Sequence, residues 1–165
     1  MCVCAFVVCH PDVMTIEVRP ARANDREAVL RLAPRLHQGV AAWRSKEGVT
    51  QAAHGWLITS LNALEAGDHA AWVAEDNGDV IGFASVCEQA HWSGEMDAYI
   101  GELVVAQEHE GRGVARTLLA TVEHWARSQK LTRIRLSTGA ANDHARRMYE
   151  HYGYQAEDVT LTRPL

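Results

Sequence analysis

The sequence predicts a single α/β domain in which helices cover a mixed sheet. Segments with alternating apolar residues and segments with helical apolar spacing follow one another in the order β-α-α-β-β-β-α-β-α-β. The chain has 165 residues, of which 47% are hydrophobic, and this size favours one domain with a well-developed core. Neither an internal repeat nor a long linker divides the sequence.

The first thirteen residues differ in composition from the rest of the chain. The segment MCVCAFVVCHPDV holds three of the four cysteines and is followed by a second methionine, Met14. Its apolar run is too short to span a bilayer, and it lacks the basic region of a signal peptide. We therefore predict a disordered or upstream-translated extension over residues 1–13 and a domain over residues 14–165. The solitary Cys87 is typical of a protein in the reducing cytoplasm.

The N-terminal third of the domain predicts one strand and two helices. The β-rich alternation of Thr15–Ala21 indicates the first strand. A helix follows, with Asn24 and Glu27 as a predicted capping box, and Pro34 is expected to kink or end it. The second helix is predicted over Gln51–Ala66, where leucines recur on one face.

The remaining elements are a hairpin, three further strands and two helices. The hairpin is predicted around the turn residues Asp76–Asp79, because two apolar runs flank them. A helix with regular apolar spacing ends near Gln129, and Asn142 is expected to cap a short helix that Gly153 closes. The three further strands are predicted over Asp97–Val105, Arg133–Thr138 and residues 158–164.

Two glycines stand where a predicted strand passes into a predicted helix. The first turn of a helix has unpaired backbone N–H groups and a partial positive charge, so it can bind a phosphate. Gly111 and Gly113 would leave those N–H groups accessible, and Arg112 and Arg116 add positive charge. The alternative is a tight turn in which glycine serves packing alone.

Two motifs in this half of the chain resemble those of the GNAT N-acetyltransferase superfamily. The segment Glu110–Ala115 is similar to the Q/R-x-x-G-x-G/A signature of its acetyl-CoA loop, with glutamate in the first position. The preceding ELVVAQEHE looks like the family's fourth strand, with Gln107 in the place of a proline. Downstream, GAANDHARRMYEHYGY is similar to N-x-x-A-x-x-x-Y-x-x-x-G-[FY], with these residues in register: Asn142, Ala145, Tyr149, Gly153 and Tyr154.

The resemblance covers about residues 81–154 and implies a fold, a coenzyme and a reaction. The fold is a mostly antiparallel mixed sheet with helices on both faces, and the reaction is direct transfer of an acetyl group from acetyl-CoA to an amine. An acid at position 110 should repel a pyrophosphate unless its side chain points outward, so altered contacts are expected there. The coenzyme-binding residues that the resemblance implies are Leu103, Val104, Val105, Glu110, Gly111, Arg112, Gly113, Val114, Ala115, Arg116, Asn142 and Tyr149.

Acetyl transfer requires a base, an oxyanion donor and an acid. By family position, the acid for the thiolate is Tyr149, and the oxyanion donor is the backbone N–H of Val104 or Val105. The base is Glu102 or Asp97 on the same strand. These two carboxylates are five residues apart and face opposite sides of a regular strand, unless a β-bulge resets the register.

Charge and composition narrow the class of acceptor. The net charge of −5, without a basic run, excludes general nucleic-acid binding. A central acidic stretch either favours a cationic partner or forms a solvated surface, and it consists of Glu88, Glu95, Asp97, Glu102, Glu108 and Glu110. We therefore expect a small amine acceptor, polyamine-like or aminoglycoside-like. A protein amino group and a non-catalytic coenzyme-binding module are the alternatives.

The remaining expectations concern the acceptor pocket, metals, membranes and assembly. The nine histidines form no metal-binding pattern, and no segment is predicted to span a membrane. Dimers are common in the family, so a homodimer is possible. Aromatic and imidazole rings that can line an acceptor pocket, or merely pack, are Trp43, Trp56, His91, Trp92 and Tyr99.

Overall fold

The computed structural model describes residues 16–165, which form a five-stranded sheet with helices on both sides. The predicted extension, residues 1–13, and the start of the domain at Met14 lie outside the described residues. Short 3₁₀ turns cover Ala23–Asp25, Ala33–His37 and Gln107–His109. The strands and helices are β1 Glu17–Pro20, α1 Arg26–Leu30, α2 Lys46–Ala66, β2 Ala70–Asp76, β3 Asp79–Ala90, β4 Met96–Val105, α3 Val114–Ser128, β5 Ile134–Leu136 and α4 Asp143–His151.

The strands lie in sequence order, β1-β2-β3-β4-β5. The first four are antiparallel, whereas β4 and β5 are parallel, so the predicted mixed and mostly antiparallel sheet is confirmed. A parallel pair needs a crossover connection, and α3 supplies it here. The β4–β5 ladder ends at the pair Ile100 and Leu136, after which the remaining half of β4 has no neighbour on that side within the described residues.

Each face of the sheet carries its own apolar cluster. On one face, α1 and α2 pack through Val29 and Leu57 against Phe83 of β3. On the other face, Leu118 and Val122 of α3 pack against Val86 of β3. Alternate residues of one strand therefore serve two cores, as the strand period of two requires. We call the first surface the α2 face and the second the α3 face.

Two of the sequence-based expectations are wrong. Residues 158–164 have no regular secondary structure, and the side chains of Val159 and Leu161 are exposed. Their alternation satisfies local β-propensity, but a strand also needs a hydrogen-bonded neighbour, and residues 16–165 provide none for this segment. Asn24 forms no capping box with Glu27. Instead, the carboxylate of Asp25 accepts the backbone N–H of Arg22 at 2.7 Å and closes the 3₁₀ turn before α1.

The same carboxylate anchors the first strand. The guanidinium of Arg19 on β1 donates to both oxygens of Asp25, at 2.7 and 2.8 Å, and also to Glu75 of β2. These hydrogen bonds favour the charged carboxylate, so the pKa of Asp25 lies below its usual value. The network fixes β1 to the turn that leads into α1.

Candidate active site

A cavity of about 720 Å³ lies where β4 and β5 separate. This volume is typical of small-molecule sites. Its walls come from β4, the glycine loop (residues 110–115), the N-terminus of α3, the end of β5 with the segment after it, α4, the segment between α1 and α2, and Trp56 of α2. Of the site residues predicted from the sequence, all but two line it. The two exceptions are Asp97, discussed below, and Arg112, whose guanidinium lies 3.8 Å from the carboxylate of Asp76.

The glycine loop presents free backbone donors to this cavity. Gly111 and Gly113 have φ angles of 72° and 83°, in the left-handed region that disfavours residues with a Cβ. A Cβ built on either glycine meets no protein atom within 4 Å, so packing does not explain the two glycines. The first helical hydrogen bond of α3 runs from the N–H of Thr117 to Gly113, which leaves the N–H groups of residues 114–116 without helical acceptors.

The open edge of β4 offers a further donor. The N–H of Ala106 bonds to Ile81 of β3 at 2.8 Å. Because neighbouring residues of an antiparallel strand direct their N–H groups to opposite edges, Val104 donates towards β3, whereas Val105 and Leu103 donate away from it. The ladder between β4 and β5 has already ended at Ile100, so the N–H of Val105 faces the space that opens between these two strands.

A β-bulge in β4 sets the direction of the two candidate bases. Ala84 pairs with Leu103 and Val86 pairs with Ile100, so β4 contains one residue more than β3 over this stretch. The extra residue reverses the alternation, and Asp97 and Glu102 therefore share the α2 face although they are five residues apart. Both side chains are buried.

Glu102 is held by two serine hydroxyl groups. Ser60 of α2 donates to its Oε2 at 2.7 Å, and Ser85 of β3 donates to the same oxygen. The Ser85 hydroxyl also accepts the backbone N–H of Glu102 at 3.1 Å. A Cβ at Gly101 would lie 2.8 Å from the Ser85 oxygen, so glycine allows this close contact. Among the described residues, Oε1 of Glu102 has no hydrogen-bond partner.

Asp97 has a different environment from Glu102. Its Oδ2 lies 3.2 Å from Nε of Arg135 on β5, and the Arg135 guanidinium also stacks 5.0 Å from the centroid of Tyr99. The Arg135 guanidinium donates a hydrogen bond to the side-chain oxygen of Gln89 at 2.6 Å. The Asp97 carboxylate is therefore neutralised by a neighbour that is itself held in place.

Tyr149 of α4 faces the cavity from the opposite wall. Its ring packs against Tyr154 at 5.5 Å between centroids. Burial disfavours the phenolate and raises the pKa of Tyr149 to about 12. The phenol therefore keeps its proton across the physiological range and is able to act as an acid. Asn142 caps the same helix by accepting the N–H of Ala145 at 3.2 Å.

Glu110, the acidic residue at the start of the glycine loop, is paired with an arginine. Arg35, in the 3₁₀ turn before α2, pairs with the carboxylate of Glu110 and approaches the amide oxygen of Gln107 at 3.5 Å. Arg35 also lines the cavity. The expected repulsion of a pyrophosphate by Glu110 is thereby reduced, because an arginine that is distant in sequence lies beside it.

The rings proposed for an acceptor pocket have separate locations. Trp56 of α2 lines the cavity, whereas His91, Trp92, Trp43 and Tyr99 do not. The side chains of Trp43 and Trp92 are exposed.

Several residues of the site were missed from the sequence. Arg35, Ser60 and Ser85 belong to no motif and contact the predicted residues only through the fold. For Ser60 a signal existed, since it is a polar residue between Leu57 and Leu61 on the apolar face of α2. Within residues 16–165, no group of three His, Cys, Asp or Glu side chains is placed to hold a metal ion, and no helix is long and apolar enough to cross a membrane.

Residues 37–154 match the model of the Acetyltransferase (GNAT) family. The chain is 30% identical over 104 residues to the uncharacterized N-acetyltransferase YycN of Bacillus subtilis, an alignment that covers 62% of this chain and 65% of that protein. It is 34% identical over 85 residues to N-acetyltransferase family 8 member 2 of Rattus norvegicus, covering 51% of this chain and 38% of that protein. The alignments thus span less than two thirds of either relative.

Solved structures share the fold at lower identity. A GCN5-related N-acetyltransferase from Ralstonia eutropha superposes with a TM-score of 0.72 at 19% identity, over 92% of this chain and 99% of that one. The aminoglycoside N-acetyltransferase AAC(6')-Iy in complex with CoA superposes with a TM-score of 0.71 at 19% identity, over 94% and 98% of the two chains.

Proposed function

The chain belongs to the acetyltransferase (GNAT) family, and from this premise we propose that it transfers the acetyl group of acetyl-CoA directly to the amino group of a small molecule. One observation carries the proposal. The buried carboxylate of Glu102, the phenol of Tyr149 and the free N–H groups of the glycine loop all face the same cavity. A ternary complex needs both substrates in one space, and this cavity supplies it.

The residues around the glycine loop fit the phosphates of acetyl-CoA, which supplies the activated acetyl thioester. The N–H groups of Val114, Ala115 and Arg116, together with the dipole of α3, form an anion site. Arg116 adds a positive charge to the same wall. The backbone of Leu103–Val105 forms the adjoining wall, and its unpaired edge is open to the cavity.

In the proposed reaction, Glu102 accepts a proton from the substrate ammonium through Oε1. The amine nitrogen then forms a bond to the acetyl carbon as the bond from that carbon to sulfur breaks. The N–H of Val105 donates to the acetyl oxygen while negative charge develops there. Tyr149 protonates the departing thiolate, and proton transfer back from Glu102 restores the phenol, with solvent taking up the remaining proton.

Glu102 is a better candidate for the base than Asp97. Glu102 lines the cavity and has no arginine partner among the described residues, whereas Asp97 does not line it and its carboxylate is paired with Arg135. We assign Asp97 a positioning role, in which it holds β5 against β4 through Arg135. The serine hydroxyl groups on Oε2 orient the carboxylate, so that Oε1 is directed to the substrate.

The test is release of free thiol from acetyl-CoA in the presence of a panel of small amines and of a peptide with a free N-terminus and a lysine. We expect thiol release with small amines and a stoichiometric N-acetyl product. Acetylation of the peptide alone would favour a protein acetyltransferase. Coenzyme binding without transfer to any acceptor would favour a non-catalytic module.

Two further parts of the proposal concern the cellular location and the oligomeric state of the enzyme. Cys87 is the sole cysteine among the described residues, which supports a cytoplasmic location. A homodimer stays a prediction of the family resemblance, and sedimentation of the full chain would test it.

A further inference from the structure

The acidic residues of the central stretch do not form a cation-binding surface inside the cavity. Glu88 and Glu108 are exposed, and neither lines the cavity. Three of the other carboxylates are each paired with an arginine: Glu95 with Arg133, Asp97 with Arg135 and Glu110 with Arg35. Glu102 is therefore the one carboxylate of this stretch that lines the cavity without an arginine partner.

The cavity thus provides a site for one ammonium group. Its charged residues and histidines are Arg35, Glu102, His109, Glu110, Arg116 and His144. A second ammonium on the acceptor would meet arginines or neutral groups there. Desolvating a charge without a partner is costly, so a polycation would bind poorly.

Apolar side chains line the cavity that Glu102 faces. Trp56 precedes Ser60 by four residues on α2, so it lies one helical turn from the residue whose hydroxyl binds Glu102. Leu36 and Val40, from the segment before α2, and Tyr152, directly after α4, line the same cavity. Trp56 is 48% exposed, so part of its surface is available to a ligand.

We infer that the acceptor is a monoamine whose amino group is attached to an apolar, preferably aromatic, body. The inference rests on the proposed function and specifies its substrate. The amino group contacts Glu102, and the body packs against Trp56, Leu36 and Val40. An aromatic body gains most, because its ring can stack on the indole of Trp56.

Competing acceptors test the inference directly. We expect kcat/KM with 2-phenylethylamine to exceed kcat/KM with spermidine or kanamycin by about tenfold or more, the scale on which an apolar pocket discriminates between ligands. Equal or higher kcat/KM for either polycation would overturn the inference while leaving the acetyltransferase function intact. No thiol release with any amine, despite acetyl-CoA binding, would instead contradict the proposed function.

A pair of tryptophan variants provides a second test of the inference. Trp56→Ala should raise KM for 2-phenylethylamine about tenfold with little change in kcat, because the ring contributes uniform binding, and should affect methylamine far less. The exposed Trp43, which does not line the cavity, provides the control in Trp43→Ala. An unchanged KM in Trp56→Ala, or equal effects on both amines, would overturn the inference.

Discussion

The guanidinium of Arg35 pairs with the carboxylate of Glu110 across 75 residues of sequence. One partner belongs to the turn that leads to α2, and the other begins the glycine loop. The pair therefore connects two walls of one cavity, which we propose to bind the acceptor and the coenzyme. It also explains how an acid is tolerated beside the proposed phosphate site, since its charge is offset by a neighbour that lines the same cavity.

Arg35→Ala should weaken acetyl-CoA binding, because Glu110 would keep its charge without a counter-ion. We expect the Kd to rise about tenfold, equivalent to about 1.4 kcal/mol, and calorimetry would measure it. The double variant Arg35→Ala/Glu110→Gln should bind more tightly than Arg35→Ala. Arg26→Ala, an arginine of α1 outside the cavity, is the control. If Glu110→Gln fails to relieve the defect, repulsion by this acid is not its cause.

Ser60→Ala and Ser85→Ala should each lower kcat/KM for the amine about tenfold, the size expected for a lost hydrogen bond to a charged group. Each removes a hydroxyl group that orients the Glu102 carboxylate. The acetyl-CoA Kd should not change. Thr59→Ala removes a hydroxyl from the exposed side of the same helix and serves as the matched control. A matching rise in the acetyl-CoA Kd would indicate a structural role for these serines instead.

Tyr149→Phe should lower kcat by about 100-fold or more, the usual size of a general-acid contribution, while acetyl-CoA binding is retained. Because the pKa of Tyr149 is raised to about 12, the wild-type enzyme should show no loss of activity from this group below about pH 10. Tyr154→Phe removes the hydroxyl of the neighbouring ring and is the control. Undiminished transfer by Tyr149→Phe would rule out the phenol as the acid.

Gly113→Val should abolish acetyl-CoA binding with a modest loss of stability. A β-branched residue at a φ of 83° costs about 1–2 kcal/mol, and its methyl groups would occupy the space before the α3 N-terminus. Gly67→Val makes the same change at the end of α2, at a φ of 85°, and Gly67 does not line the cavity. Equal coenzyme affinity in both variants would refute the phosphate-loop assignment.

The fold should lose stability as the pH rises above about 10. Tyr149 binds its proton more tightly in the folded chain, where its pKa is about 12, than in the unfolded chain, where it is near 10. Its contribution is therefore complete below pH 10 and declines by about 1.4 kcal/mol per pH unit up to pH 12. Urea titrations should show a shallower decline for Tyr149→Phe than for the wild type. Parallel declines would mean that this phenol is not buried in solution.

Local patterns in the sequence predicted most of the architecture. The hairpin around Asp76–Asp79, the helix behind Gly113 and the Asn142 cap depend on neighbours within a few residues, and all three are present. The motif residues also converge on one cavity, because their spacing places them at the ends of adjacent elements.

Local patterns in the sequence did not predict the contacts between distant segments. Ser60 reaches Glu102 across 42 residues, and Arg35 has no feature that distinguishes it from other surface arginines. The predicted strand over residues 158–164 is wrong for the converse reason, since its local pattern is suitable but no strand of the described part of the chain pairs with it. The direction of Glu102 was left open because one extra residue decides it, and that residue is recognisable only from the pairing with β3.

The extra residue in β4 makes the site sensitive to the number of residues in the chain as well as to their identity. The bulge bends the strand directly after Ile100, where its pairing with β5 ends. A chain lacking Gly101 would retain Glu102, Tyr149 and both loop glycines. We expect its straightened strand to extend the ladder with β5 and to close the gap. Such a deletion would leave every proposed reactive group in the sequence while removing the space in which the proposed reaction brings two substrates together.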